Sequence, residues 1–354
     1  MTVKQYLEHA CKASASDLFF VAGAPATEKI GGELFPLDTD RLTAPDTERL
    51  IRELYAEADR DVQKLLSQGD DDFSFAIPSL ARFRVSAYRQ RGSLAAVIRI
   101  VAFNIPCYKD LGIPEEVMAL ADASSGLILF TGTAGSGKST TQACIIDRIN
   151  HTRKCHVITL EDPIEYLHKN DKSIISQREI ATDTEDCLSA LRASLRQAPD
   201  VILLGEMRDP QTVRTAITAA ETGHTVIATL HTKGTANSID RIIDTFPAEQ
   251  QGQIRIQLAA VLHTAVSQQL VRSESGALLP VFELMHASPA VKSLIRDGKT
   301  HQLNATVAAA SSEGMFTMDS SILSLYEKGL IGKDTALAYA DDPEQLKRRI
   351  ENKA

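Results

Sequence analysis

The sequence predicts an α/β protein of two domains. A small α+β domain covers residues 1–101, a linker 102–116, and a larger domain on a parallel sheet 117–354, helical from about residue 289. Three observations predict this. After residue 117, short apolar runs alternate with helical stretches, the pattern of strands covered by helices. A glycine-rich loop, "GTAGSGKSTT", follows one of those runs. The segment "AFNIPCYKDLGIPEE", Ala102 to Glu116, carries two prolines and a glycine and breaks the pattern on both sides.

A chain of 354 residues exceeds the roughly 150 of one domain, and 44% hydrophobic residues supply one sizeable core and one modest one. No stretch reaches the roughly 18 uninterrupted apolar residues of a spanning helix. The start, "MTVKQYLEHACKASASD", lacks the basic-then-apolar order of a signal peptide, so the expected compartment is the cytosol. A net charge of -8 argues against a broad nucleic-acid surface. Cys11, Cys107, Cys144, Cys155 and Cys187 form no C-x-x-C pair and read as free thiols.

The small domain opens with an expected helix over Val3 to Ala13 and a β segment over Asp17 to Val21. A second helix is expected from Asp46 to Gln68, then a hairpin in "RFRVSAYRQRGSLAAVIRIV". Alternation in that hairpin puts Arg84, Ser86 and Tyr88 on one face and Phe83, Val85 and Ala87 on the other. A two-residue turn at Arg91-Gly92 would pair position 84 with position 99 and set two arginines opposite one another. At about 5 Å and an effective dielectric near 20 their repulsion is roughly 3 kcal/mol before screening, a cost that an anion between them removes. Two readings follow: both side chains splay into water, or the pair completes a nucleotide site from the small domain.

In the larger domain Leu127–Thr131, His156–Thr159, Val201–Leu204 and Thr225–Leu230 read as strands. Thr184 is expected to cap a helix with Leu188, Leu191 and Leu195 on one face and Pro199 just past its end. Beyond Pro289 the pattern is helical without further β signal.

Gly132, Gly137, Lys138 and Ser139 satisfy G-x-x-x-x-G-K-[ST], with a strand before the loop and a helix from Thr140 to about Asn150 after it. Gly132, Thr133, Ala134, Gly135, Ser136, Gly137, Lys138, Ser139 and Thr140 are therefore expected to hold ATP or ADP. Backbone N–H groups face the phosphates, Lys138 neutralises the β/γ charge and Ser139 offers its hydroxyl to Mg²⁺. Lys138 is read as part of an exposed loop, so that losing it removes no core volume.

Hydrolysis also needs a carboxylate to orient water. "DVILLGEMRD" ends a strand with Glu206, and "ITLEDPIEY" ends another with Glu161, Asp162 and Glu165; ligands bind at such carboxyl ends. The usual strand-end pair is Asp-Glu. Gly205 in the first place speaks against direct metal ligation by this strand, and Glu165 is a further candidate for Mg²⁺. His224 and His231 bracket "HTVIATLH", and seven steps of roughly 3.3 Å put them on the order of 23 Å apart, too far to share one γ-phosphate. His231, at the carboxyl end, is the candidate sensor. His224 reads as a helix cap, a core filler or a subunit contact.

Taken together, "GTAGSGKSTT", "ITLEDPIEY", "ISQREIATDT", "ALRASLRQAPDVILLGEMRDPQTVRTAITAAETGHTVIATLHT" and "IDRIIDTFPAEQQ" resemble the PilT-like type IV pilus retraction motors of the secretion ATPase superfamily. The resemblance implies a PAS-like N-terminal domain, with Phe19 in place of a usual histidine, and a RecA-like P-loop ATPase domain with a helical C-terminal tail. By position it makes Lys138 and Ser139 part of the Walker A loop, Glu161 to Glu165 the acidic box and Glu206 the Walker B glutamate. His224 and His231 fall in the histidine box, and Arg84 and Arg99 match paired arginine fingers. "AVKSLIRD", Ala290 to Asp297, stands where the family has "AIRNLIRE", a retraction element, with Lys292 for arginine and Ser293 for asparagine.

What the resemblance implies about activity is a homo-hexamer that couples Mg²⁺-dependent ATP hydrolysis to pilus retraction at the inner face of the cytoplasmic membrane. Its implied partners are an inner-membrane pilus platform protein and a paralogous pilus ATPase, with no nucleic acid. Assembly and type II secretion ATPases are expected to carry a longer N-terminal region and usually a four-cysteine metal module. A non-hydrolysing accessory subunit is at odds with Lys138, Glu206, Arg84 and Arg99.

Overall fold

The computed structural model describes residues 1–78, 80–101 and 105–352. Contacts divide the chain into one unit of Met1–Asn104 with Glu165–Leu167 and another of Ile105–Ile164 with His168–Ala354. Of the expected linker, residues 102–104 lie outside the described residues and 105–116 group with the second unit.

The first unit holds helices α1 (Val3–Lys12), α2 (Ala44–Glu57) and α3 (Gln63–Gln68) and strands β1 (Asp17–Phe20), β2 (Thr27–Ile30), β3 (Glu33–Pro36), β4 (Asp70–Ile77), β5 (Ala81–Gln90) and β6 (Ser93–Val101). The sheet order is β3-β2-β1-β6-β5-β4. Capping boxes start two helices: Thr2 with Gln5 begins α1, and Thr43 with Asp46 begins α2. The single helix expected over 46–68 is two, because Asp59 takes a φ of 49° and no helix runs through a left-handed residue. Leu50, Ile51 and Leu54 of α2 pack with Phe20, Phe83 and Ile98 of the sheet, all fully buried, at roughly 1.5–3 kcal/mol each. Strands β2, β3 and β4 were not expected. All four residues of β3 are exposed, so it carries no alternation to read.

The second unit is a sheet in the order β13-β12-β7-β11-β10-β8-β9. Its strands are β7 (Gly126–Thr131), β8 (His156–Glu161), β9 (Ile174–Glu179), β10 (Val201–Leu204), β11 (Thr225–Leu230), β12 (Leu262–Arg272) and β13 (Leu278–His286). The four expected strands are the parallel centre, β7-β11-β10-β8. Parallel β12 and antiparallel β13 extend it past β7. The sequence reading missed β12 because Ser267 and Gln268 interrupt its apolar run, yet both are buried. One face carries α5 (Lys138–Thr152), preceded in the chain by the short α4 (Glu115–Met118). The other carries α6 (Cys187–Ser194), α7 (Pro210–Glu221), α8 (Thr235–Asp244) and α9 (Ala248–Val261). Asp186, not Thr184, caps α6 by accepting from Ser189 N, while Thr184 is engaged in a bridge to Ile180.

The tail is helical, as expected: α10 (Pro289–Arg296), α11 (Leu303–Ala309), α12 (Met318–Glu327), α13 (Lys333–Tyr339) and α14 (Pro343–Glu351). The last three pack on β12 and β13 through Val271, Val281, Ile322, Ala336 and Leu346. No helix among the described residues is long and apolar enough to cross a membrane.

Candidate nucleotide site

The parallel strands deliver their following loops to one edge of the second unit's sheet. From β7 the chain turns through Gly132 to Gly137 into α5. Gly132 has φ 141°, and a Cβ there would lie 2.2 Å from Gln268 O; Gly137 has φ 87°, and its Cβ would lie 2.8 Å from Gln268 Nε2. Only glycine fits at these two positions. Thr133, Ala134 and Gly135 are exposed, Ser136 is buried, and Ser139 and Thr140 are half-buried in the first turn of α5. Free backbone N–H groups and the positive end of the helix dipole make such a turn an anion cradle.

Lys138 departs from the expectation of an exposed loop. It is only 6% exposed, and its Nζ donates to Gly132 O at 2.7 Å, Thr133 O at 2.8 Å and Ser136 Oγ at 3.4 Å. The ammonium lies inside the loop because the loop's carbonyls replace the water it loses on burial.

At the end of β10, a Cβ on Gly205 would stand 3.2 Å from Leu160 O and 3.4 Å from Glu161 Cα, so the tight approach of β8 accounts for a glycine in the first place of the pair. Glu206 is half-buried. The Arg208 guanidinium pairs with its Oε1, and His231 Nε2 lies 3.5 Å from its Oε2. The structure thus brings Glu206 and His231 together and adds Arg208, which the sequence reading passed over. At the end of β8, Glu161 Oε1 accepts from Thr159 Oγ1 at 2.6 Å and Gln177 Nε2 at 3.3 Å. Asp162 is exposed. Glu165 is exposed and groups with the first unit. His224 lies at the other end of β11, where its Nδ1 is 2.9 Å from Ala219 O and 3.1 Å from Thr222 Oγ1. It closes α7, the first of its three readings.

In the first unit Arg84 pairs with Arg99 across β5 and β6, around a turn whose residues Arg91 and Gly92 both have positive φ. Both arginines are exposed, with Phe83, Val85 and Ala87 buried on the opposite face. The pair has a neighbouring carboxylate that the sequence reading did not count, Asp17. This buried carboxylate faces Arg99 from β1 and accepts from its Nε at 3.0 Å.

The donor set suits a nucleotide with Mg²⁺. Among the described residues no group of three or more His, Cys, Asp or Glu side chains could hold a metal. A cation at this loop would take the Ser139 hydroxyl and phosphate oxygens, the way Mg²⁺ is commonly held with nucleotides. Gln268 on β12 is a contact the sequence reading did not find: its Oε1 accepts from Thr141 Oγ1 at 2.9 Å. Gln142 Nε2 donates to Thr229 Oγ1 at 2.9 Å, tying α5 to β11.

A parallel sheet that sets a phosphate cradle after one strand and a buttressed glutamate after the next but one is the arrangement of a P-loop ATPase, and this protein is one. It binds nucleotide. The Type II/IV secretion system protein family matches residues 1–317, and the chain belongs to that family.

The chain is 39% identical over 347 residues to the type IV pilus retraction ATPase PilT of Pseudomonas aeruginosa, covering 98% of this chain and 100% of that protein. It is 36% identical over 351 residues to the type IV pilus ATPase PilU of the same organism, covering 99% and 91%. Its fold matches the crystal structure of the pilus retraction motor PilT with bound ADP at a TM-score of 0.90 and 42% identity, over 98% of this chain and 99% of that one. The first unit is accordingly PAS-like and the second RecA-like with a helical C-terminal tail.

Proposed function

We propose that the chain is a ring-forming motor, a homo-hexamer that couples Mg²⁺-dependent ATP hydrolysis to the retraction of a type IV pilus. The observation that carries this reading is likeness to PilT along nearly the whole chain, first unit and ATPase domain together. In this reading Gly132 to Thr140 hold the phosphates, Lys138 supplies positive charge and the Ser139 hydroxyl is a ligand to the metal. Mg²⁺, when bound, neutralises charge on the phosphates. Glu206 orients the attacking water, and His231 beside it responds to the γ-phosphate. Glu161 and Glu165 are the further acidic residues of this reading, with Glu165 a candidate for Mg²⁺, and Arg84 and Arg99 supply cations that sense the γ-phosphate.

The protein works in the cytoplasm at the inner face of the membrane, against an inner-membrane pilus platform protein and beside a paralogous pilus ATPase. The retraction element lies on α10, where Val291 and Ile295 are buried and Lys292 Nζ donates to Ala260 O of α9 at 3.3 Å. Of its four differences from that element, Lys292 and Ser293 are half-buried, Asp297 is exposed, and Val291 keeps an apolar residue on the buried side.

The test is turnover, nucleotide retention and light scattering of the wild type and Glu206→Gln. The expected result is a six-membered ring with ATP and Mg²⁺, and a Gln variant that keeps nucleotide but turns it over about 10²-fold more slowly, because the amide cannot act as a base. A strict monomer at tens of micromolar, or wild-type turnover in the variant, would count against the reading.

A further inference from the structure

We propose that Gln268 is a positioning residue for the phosphate loop, and that Ser267 beside it ties that loop to the one carrying His231. The inference rests on reading the loop as an ATP site. Strand β12 runs beside β7, with Ser267 paired to Thr131, so Gln268 lies level with the start of the loop. The residue reaches three places at once. Its Oε1 accepts from Thr141 in the first turn of α5, its Nε2 fills the space a Cβ would need at Gly137, and its backbone carbonyl does the same at Gly132. Both ends of the loop and the helix after it are thus set against one residue, itself 2% exposed. A buried carboxamide costs stability unless its polar atoms are used, and a leucine would fill the same volume.

Neighbouring residues of a strand point to opposite faces of the sheet. Gln268 therefore meets α5, and Ser267 meets the side of α8. Ser267 Oγ accepts from Gly234 N at 3.1 Å, in the loop that follows His231. Opposite Ser267 across the hairpin stands Glu283, whose Oε1 accepts from Thr235 N at 3.0 Å at the start of α8. The loop after β7 and the loop after β11 are therefore both referred to one dipeptide of β12. A shift of that strand moves the phosphate cradle and the His231 loop together.

The experiment uses the full-length chain, with Gln268→Met, Thr141→Val, both together, and Thr141→Ser. Fluorescent ADP titration, ATP turnover and thermal melts are measured on each. Losing the brace should raise the ADP Kd and the ATP KM about tenfold in Gln268→Met and in Thr141→Val, with kcat changed less than about threefold, because the cradle is misplaced and not dismantled. Thr141→Ser, which keeps the hydroxyl, should restore wild-type KM, and the double variant should be no worse than Gln268→Met alone. Unchanged KM in both single variants overturns the proposal, as does a lower kcat and melting temperature at constant KM, or additive effects in the double. A wild type that binds no nucleotide overturns the ATP reading itself and this inference with it.

Discussion

Asp17 and Arg99 face one another across β1 and β6, with Arg99 Nε donating to Asp17 Oδ1 at 3.0 Å. The pair breaks the symmetry of the two arginines, because Arg84, opposite Arg99 on β5, has no corresponding place against β1. Arg99 is held, whereas the side chain of Arg84 has no hydrogen-bond or ion-pair partner among the described residues.

That asymmetry separates the two arginines experimentally. Replacing either by Ala should reduce ATP turnover roughly 10²-fold if both stabilise charge on the γ-phosphate. Stability should respond unequally. Arg99→Ala leaves buried Asp17 without its guanidinium and should cost about 1 kcal/mol, modest because Arg99 itself is solvent-exposed, whereas Arg84→Ala should be near neutral. Denaturant midpoints and turnover of both variants check this. Equal stability losses, or a gain in Arg99→Ala from relieved repulsion, would refute the role given to Asp17.

Gly205→Asp would give β10 the usual acidic pair, yet it should impair the enzyme. The new Cβ meets Leu160 O at 3.2 Å, so the end of β8 must move and Glu161 with it. The expected loss is about 1–3 kcal/mol of stability together with lower turnover. Faster hydrolysis at unchanged stability would show that the β8–β10 approach does not constrain this position.

A third expectation concerns acid. Asp71 of β4 is buried, and burial by itself pushes its carboxyl up; hydrogen bonds from Lys64, Arg60 and Tyr55 outweigh that and hold it below the usual carboxylate range. A carboxyl depressed in the folded state stabilises it above the unfolded value of about 4, and the contribution fades as pH falls through the folded value. Asp71→Asn should therefore cost about 1–3 kcal/mol near neutrality and progressively less below about pH 4. Urea unfolding at both pH values measures it, and a penalty that persists undiminished in acid would assign the effect to packing.

What could be read from the sequence was what is determined locally. The cradle was legible because the two glycines, Lys138 and the strand before them act within a few residues of one another. The Arg84–Arg99 pairing was legible because a two-residue turn sets the register of everything after it. Asp17 and Gln268 were not, because they reach their partners across 82 and 127 positions. Gln268 was doubly hidden, since a polar pair inside a strand looks like a break in the apolar run. Thr184 was the expected cap by residue type, but Asp186, of a type equally suited, caps α6, while Thr184 is engaged in a bridge to Ile180, a tertiary feature.

Lys138, folded inward onto the carbonyls of Gly132 and Thr133, makes the loop its own competitor. Were Lys138 to meet a phosphate, as proposed above, its ammonium would exchange these two internal acceptors for the oxygens of the incoming group. The net affinity of such a site is the difference between the two sets of bonds, smaller than either. The same exchange works in reverse at the end of a cycle. A departing product would leave behind a cation with partners waiting, not a buried charge stripped of them, and release would escape the several kcal/mol such a charge costs. A cyclic machine needs a ligand that it can let go, and the carbonyls of Gly132 and Thr133 are placed to be the alternative partner.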